Sequence, residues 1–329
     1  MVTLLERRQV LFYLAAIALG VTVGLLVPAV APALAVSINP VLAMLLFATF
    51  LGVPLIDLPG AFRDIRFLGT VLTVNFVLVP VLVFGLSRLV TGSEAVLIGV
   101  LLVLLTPCVD YVIVFTGLAG GARDRLLAAA PLLMLLQILL LPGYLFLFLG
   151  PEGAALIAIE PFVQAFVVLI ALPLLAAGLV QGLARATRPR IRMAGRGIAA
   201  ALSALMVPLL MLTLFVVIGA QIHGVSAELV VLAGVVPLYA GFLAIMLGVG
   251  LLASRVARLG VAATRAVVFS GATRNSLVVL PLAMALPPAL SLTPLVVVTQ
   301  TLVELLGMVI FVRLVPRLTR FDRVPSPPD

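Results

Sequence analysis

Two stretches decide how this chain is read: VLLVLLTPCVDYVIVFTGLAGG at Val100–Gly121 and AVVFSGATRNSLVVLPLAMAL at Ala266–Leu286. Each is apolar and long enough for a membrane helix, and each carries residues that such a helix tolerates badly. Pro107 has no amide hydrogen and its ring collides with the carbonyl four residues back, which costs about 3 kcal/mol in a regular helix. In the second stretch Gly271 weakens the helix and Pro281 leaves the carbonyl of Leu277 without its donor. Both segments are expected to unwind near mid-membrane, with Pro107, Gly271 and Pro281 as the breaks. Irregular backbone persists at that depth only when buried in protein or facing a watery cavity, so paired broken helices point to the binding site of a secondary transporter.

The rest of the chain fits that setting. Of 329 residues, 64% are hydrophobic and 10% are charged, against roughly a quarter charged in soluble domains. Mean hydropathy is +1.38 and the apolar runs extend from end to end, so the sequence reads as one transmembrane domain over 1–329. A span needs about 20 apolar residues, which divides the chain into ten, at about 9–29, 39–58, 66–90, 95–117, 126–149, 155–183, 198–221, 228–253, 262–285 and 291–314. The first is read as a retained helix rather than a cleaved signal.

All 20 basic residues are arginine, and their placement argues for topology rather than nucleic-acid binding. Arg7 and Arg8, Arg63 and Arg66, Arg123 and Arg125, the run from Arg185 to Arg196, Arg255, Arg258 and Arg265, and Arg313 to Arg323 fall on one side of the ten spans. Glu94, Glu152, Glu160 and Glu228 mark the other, with Arg88 the lone basic residue there. Cytoplasmic connections collect arginine, which predicts a multi-pass plasma-membrane protein with both termini cytoplasmic. The most basic connection, GLARATRPRIRMAGRG at Gly182–Gly197, leaves five spans on each side. Repeats of odd helix number enter the membrane in opposite senses. The expected fold is therefore all-α, two inverted five-helix repeats over about 9–149 and 155–314.

Three ionisable residues sit deep in apolar spans: Asp110, Arg274 and Glu304. A charge at a helix centre costs about 2.5–3.5 kcal/mol on insertion scales, so each needs a partner. Asp110 follows Pro107 by three residues and Arg274 follows Gly271 by three, which predicts an Asp110–Arg274 contact where the breaks cross. That pair reads either as a structural ion pair or as a proton-sensitive latch in which protonated Asp110 releases Arg274. Glu304, in TQTLVELLG, is a second proton carrier, or a carboxylate satisfied by Gln300, Thr301 or a backbone amide. Cys108 adjoins the proline and puts a thiol at the cavity wall; Asn275 and Ser276 sit at the second break and are expected to line it.

Other signals carry less. Gly20 with Gly24 and Gly117 with Gly121 have the spacing of close helix contacts, common by chance in a glycine-rich membrane chain. His223 stands in an expected external loop. One histidine and one cysteine make no transition-metal cluster, and no enzyme motif or phosphate-binding loop is present. The reading calls for neither enzymatic chemistry nor a cofactor.

LLTPCVDYVIVFTGLAGG, ATRNSLVVLPLAMAL and VVVTQTLVELLGMV together resemble the bile-acid/sodium symporter superfamily and, within it, the arsenite efflux permeases. The resemblance implies core and panel domains with spans four and nine crossing in the core. It also places the metalloid-associated cysteine at Cys108 and the span-ten glutamate at Glu304. The permeases have an acid where Leu277 aligns and none after Pro-Cys, whereas here an acid stands at Asp110 and Arg274 is new. An arginine at the crossing repels sodium, so a proton is the expected coupling ion. Arsenite or antimonite is the leading substrate and a small organic anion, paired by Arg274, the alternative.

Overall fold

The computed structural model describes residues 9–52, 64–90, 92–109, 111–155, 164 and 167–319. Among them every regular element is helical. We label the helices α1 (Gln9–Leu26), α2 (Ala31–Gly52), α3 (Ile65–Ser87), α4 (Glu94–Leu104), α5 (Tyr111–Leu118), α6 (Arg123–Gly150), α7 (Leu172–Ala184), α8 (Pro189–Ala227), α9 (Leu229–Val256), α10 (Val261–Ala272), α11 (Ser276–Met284) and α12 (Thr293–Leu318). Among the described residues six helical stretches are long and apolar enough to cross a membrane: Pro28–Gly52, Ile65–Ser87, Arg123–Gly150, Pro189–Ile222, Val230–Val256 and Thr293–Leu318. Shorter apolar helices include Glu94–Leu104 and Val261–Ala272, the first halves of the two interrupted segments.

The helices fall into two packed groups. α8 lies along both α1 and α2, and α7 packs on α2 and α8. In the other group α9 packs on α10 and α12, α12 on α4 and α11, and α5 on α6 and α10. Contact between the groups is sparse and passes chiefly through α8 with α12 and α2 with α11. Leucine and valine on the outer faces, Leu139, Leu147, Val230 and Leu252 among them, are exposed, as lipid-facing side chains must be where the solvent is hydrocarbon.

Several expected boundaries move. The stretch expected to link the first two spans is helical, because α2 starts at Ala31 and carries Pro40 inside it. The basic mid-chain connection shrinks to residues 185–188, since Pro189 at the first position of α8 starts a helix without losing a bond. His223 belongs to α8 rather than to a loop. The pair Gly20 and Gly24 is a true helix contact: a Cβ on Gly20 would stand 2.9 Å from the Phe215 carbonyl, and one on Gly24 would stand 2.6 Å from the Gly219 carbonyl. Three glycines thus let α1 and α8 touch backbone to backbone.

α3 has a π turn at Val74–Leu78. Pro80 has no N–H to give the Phe76 carbonyl, and Tyr144 of α6 donates its hydroxyl to that oxygen at 2.7 Å. Such turns reorient side chains locally, and this one contains Asn75, which matters below. At its start α3 is capped by Asp64, which accepts from the Phe67 amide at 3.1 Å and pairs with Arg125 of α6 at 2.5 Å.

A crossing of two broken helices

The segment after α4 and the segment after α10 leave helical geometry and pair with each other. Pro107 and Arg274 form an antiparallel bridge. The Cys108 amide donates to the Thr273 carbonyl at 3.2 Å, and the Asn275 amide to the Thr106 carbonyl at 2.8 Å. Four of the backbone groups at the breaks are thereby satisfied by one another, part of the condition for irregular chain inside a membrane.

The second break lies at residues 273–275. Gly271 falls in the last turn of α10, where an added Cβ would stand 2.8 Å from Val74 and 2.9 Å from Met246, so its small size serves packing against α3 and α9. Pro281 is a correction to the sequence reading, because it lies within α11, which runs on to Met284. A helix beginning at Ser276 has only the Leu277 carbonyl to forgo on account of that proline, a local loss that does not end it. Asn275 caps α11 by accepting from the Val278 amide at 3.3 Å.

Arg274 is fully buried and its guanidinium is held by neutral oxygens. Nη2 donates to Asn75 Oδ1 at 2.7 Å, to the Ser270 carbonyl at 2.8 Å and to the Gly271 carbonyl at 2.7 Å; Nη1 donates to the Leu104 carbonyl at 3.3 Å. The guanidinium also lies 5.6 Å from the centre of the Phe242 ring, within reach of a cation–π attraction. Asn75 is itself fixed, donating to the Val71 carbonyl and to Ser270 Oγ, each at 3.0 Å.

Glu304, on α12, is the carboxylate that meets the crossing among the described residues. Its Oε2 accepts from the Arg274 main-chain amide at 2.8 Å and from Gln300, and its Oε1 stands 2.7 Å from the Tyr111 hydroxyl. The same hydroxyl lies 2.9 Å from the Arg274 carbonyl. Gln300 and a backbone amide are thus the partners the sequence suggested for Glu304, while Thr301 donates instead to the Val297 carbonyl. Asp110, and with it the expected Asp110–Arg274 contact, lies outside the described residues.

Cys108 is buried in the bridge segment, and Asn275 and Ser276 are buried beside it. Four side-chain atoms at this crossing have no protein partner among the described residues: Arg274 Nε, Asn275 Nδ2, Ser276 Oγ and Gln300 Oε1. Orphaned buried polar atoms are uncommon and call for an explanation. A narrow void lies between the two helix groups, walled by Tyr13, Leu210 and Leu214 on one side and by Tyr111, Leu277, Thr301 and Leu305 on the other. Among the described residues no cluster of three or more His, Cys, Asp or Glu has metal-binding geometry.

Tyr111, Ser270 and Phe242 were not singled out from sequence. Tyr111 begins the half-helix α5, and a polar tip on an aromatic residue at a helix break is the signal that marks it. Ser270 and Phe242 act through long-range contacts that no local pattern reports.

Among the described residues every regular element is helical and six helices are long and apolar enough to span a membrane, and a buried polar crossing between broken helices in that setting marks a membrane transport protein. Residues 39–228, more than half of the chain, match the model of the Sodium Bile acid symporter family, and the chain belongs to that family. Compared with curated proteins one by one, it shows no match.

Proposed function

We propose that this chain is a proton-coupled secondary transporter that exports arsenite or antimonite across the plasma membrane. The observation that carries the reading is the convergence of the one thiol, Cys108, with buried amide and hydroxyl atoms that have no protein partner among the described residues, Asn275 Nδ2, Ser276 Oγ and Gln300 Oε1, at one crossing. Trivalent arsenic and antimony are thiophilic, and their hydroxides are uncharged near neutral pH. A soft sulfur supplies affinity, and amide and hydroxyl groups supply hydrogen bonds to the remaining hydroxyls. If the thiol binds covalently, a sulfur–arsenic bond forms as one hydroxide takes the thiol proton and leaves as water.

In this reading the ten spans form two inverted five-helix repeats, with both termini cytoplasmic. The group α1, α2, α7 and α8 is the panel, and the remaining helices are the core that moves against it. Glu304 carries the coupling proton, with Asp110 as the second acid, because protonation of Glu304 changes how many donors the crossing needs. Alternating access then consists of the two groups shifting across their sparse contact.

The organic-anion reading depends on Arg274 meeting a carboxylate or sulfonate. Its two Nη groups are already engaged by four protein oxygens, and Nε alone has no partner among the described residues, one donor where a bidentate clamp on a carboxylate needs two, which leaves the metalloid reading ahead. Arsenite uptake into everted vesicles decides between them. Cys108→Ser is expected to abolish it while the protein remains folded; absence of arsenite uptake in wild-type vesicles, with uptake of a carboxylate or sulfonate that Cys108→Ser retains, would favour the anion. Unchanged proton dependence in both Asp110→Asn and Glu304→Gln would remove the coupling role.

A further inference from the structure

Among the described residues no carboxylate contacts the guanidinium of the buried Arg274, and what holds it there needs an account. Among the described residues the ion pairs are Arg123–Asp124 and Arg125–Asp64, so none involves Arg274. The oxygens that hold its guanidinium have a common origin. Ser270 and Gly271 lie in the last turn of α10, and Leu104 is the last residue of α4.

In an unbroken helix these three carbonyls would accept from the amides four residues on. Those amides are spent elsewhere: Cys108 on Thr273, Arg274 on Glu304, and Asn275 on Thr106. The two breaks therefore leave a set of orphan carbonyls facing one point. Each helix C-terminus also carries roughly half a negative charge, so two of them meeting in a low-dielectric interior call for about one positive charge. Asn75 adds a further neutral oxygen from the π turn of α3.

A cluster of neutral carbonyl and amide oxygens at the negative ends of two helices is the chemistry that holds a hard monovalent cation. We infer that the Arg274 guanidinium is a tethered cation. It fills, as a covalent part of the chain, an oxygen cage that would otherwise take a free alkali ion, so the crossing assembles without any such ion. This holds whether the cargo is a metalloid or an organic anion. Its second consequence is that deleting the side chain uncovers a cation site.

The test uses the full chain, purified in detergent, with melting followed at constant ionic strength in N-methylglucamine, sodium, lithium or potassium chloride, each with and without millimolar guanidinium chloride. Wild type is expected to melt at the same temperature in all of them, because its cage is full. Arg274→Ala is expected to melt lower, and to recover as millimolar guanidinium or one of the alkali ions is added, in proportion to the logarithm of its concentration. Sodium-dependent stabilisation of wild type would overturn the inference, as would a folded Arg274→Ala that no cation stabilises.

If Arg274→Ala does not fold, Arg274→Lys and Arg274→Met decide. The lysine keeps a positive charge with three donors, and is expected to melt near wild type and well above methionine. Equal melting of the two would show that charge at this point is irrelevant and end the proposal.

Discussion

The main-chain amide of Arg274 donates to Glu304 Oε2 at 2.8 Å, while the guanidinium of the same residue turns to four neutral oxygens and makes no ion pair with that carboxylate. Two opposite charges share one crossing yet are solvated separately, Glu304 by donors and Arg274 by acceptors. Their deletions should accordingly act through different partners.

For Glu304 the partners are the Arg274 amide, Gln300 and the Tyr111 hydroxyl. Glu304→Ala leaves the Arg274 amide and Gln300 without an acceptor, while Tyr111 keeps the Arg274 carbonyl; at about 1–3 kcal/mol for each orphaned donor, a loss of at least about 2 kcal/mol is expected. Glu304→Gln keeps a carbonyl oxygen and is expected to lose less than half as much. Unfolding midpoints of the purified protein measure both, and equal losses would contradict the hydrogen-bond account.

Asn75 gives a second contrast. Asn75→Leu has similar bulk but leaves Arg274 Nη2 one acceptor short and Ser270 Oγ without its donor, a cost of about 1–3 kcal/mol. Asn75→Asp keeps the oxygen and adds a charge next to the guanidinium, converting a neutral contact into an ion pair. The aspartate variant is expected to melt above the leucine variant; the reverse order would mean that Asn75 acts by packing alone.

The α1–α8 contact predicts a change of sign between two glycines. A Cβ on Gly24 would stand 2.6 Å from the Gly219 carbonyl, a backbone atom that yields only if the helices separate, whereas one on Gly143 would meet nothing within 4 Å. Gly24→Ala is expected to cost about 1–3 kcal/mol by overpacking. Gly143→Ala, in the middle of α6, is expected to gain about 0.5–1 kcal/mol by restricting the unfolded chain. Thermal unfolding of both variants checks the signs.

How much of this was legible in the sequence differs by kind of contact. Pro107 announced the first break because its missing amide is a property of the residue alone. Glu304 and Gln300 stand four apart on one helix, so their hydrogen bond follows from helical spacing. Pro281 misled because a proline signals a lost bond, not the place where the chain finds replacement partners; that place was fixed by pairing with Thr106–Cys108. The partners of the Arg274 side chain come from α3, α4 and its own last helical turn, and only the crossing angle brings them together. Gly20 and Gly24 show the opposite case, a spacing that local reading could not separate from chance until Gly219 was seen opposite them.

Arg265 offers a last prediction, because it anchors the far end of the broken helix rather than the crossing. It lies in the first half of α10, within the ninth span expected from sequence, and reaches toward the ends of two other helices. Nη1 donates to the Ala119 carbonyl at 2.9 Å and the Gly120 carbonyl at 3.3 Å, just past the end of α5. Nε donates to Thr319 Oγ1 at 2.8 Å, past the end of α12. A cation on the carbonyl end of a short helix offsets its dipole, and a planar fork spans two directions that a single ammonium cannot. Arg265→Lys is therefore expected to fall closer to Arg265→Ala than to wild type, each losing about 1.5–3 kcal/mol. Hydrogen exchange supplies the local readout: both variants should exchange faster at 117–121 and at 315–319 together. Faster exchange confined to α10 itself would refute the clamp.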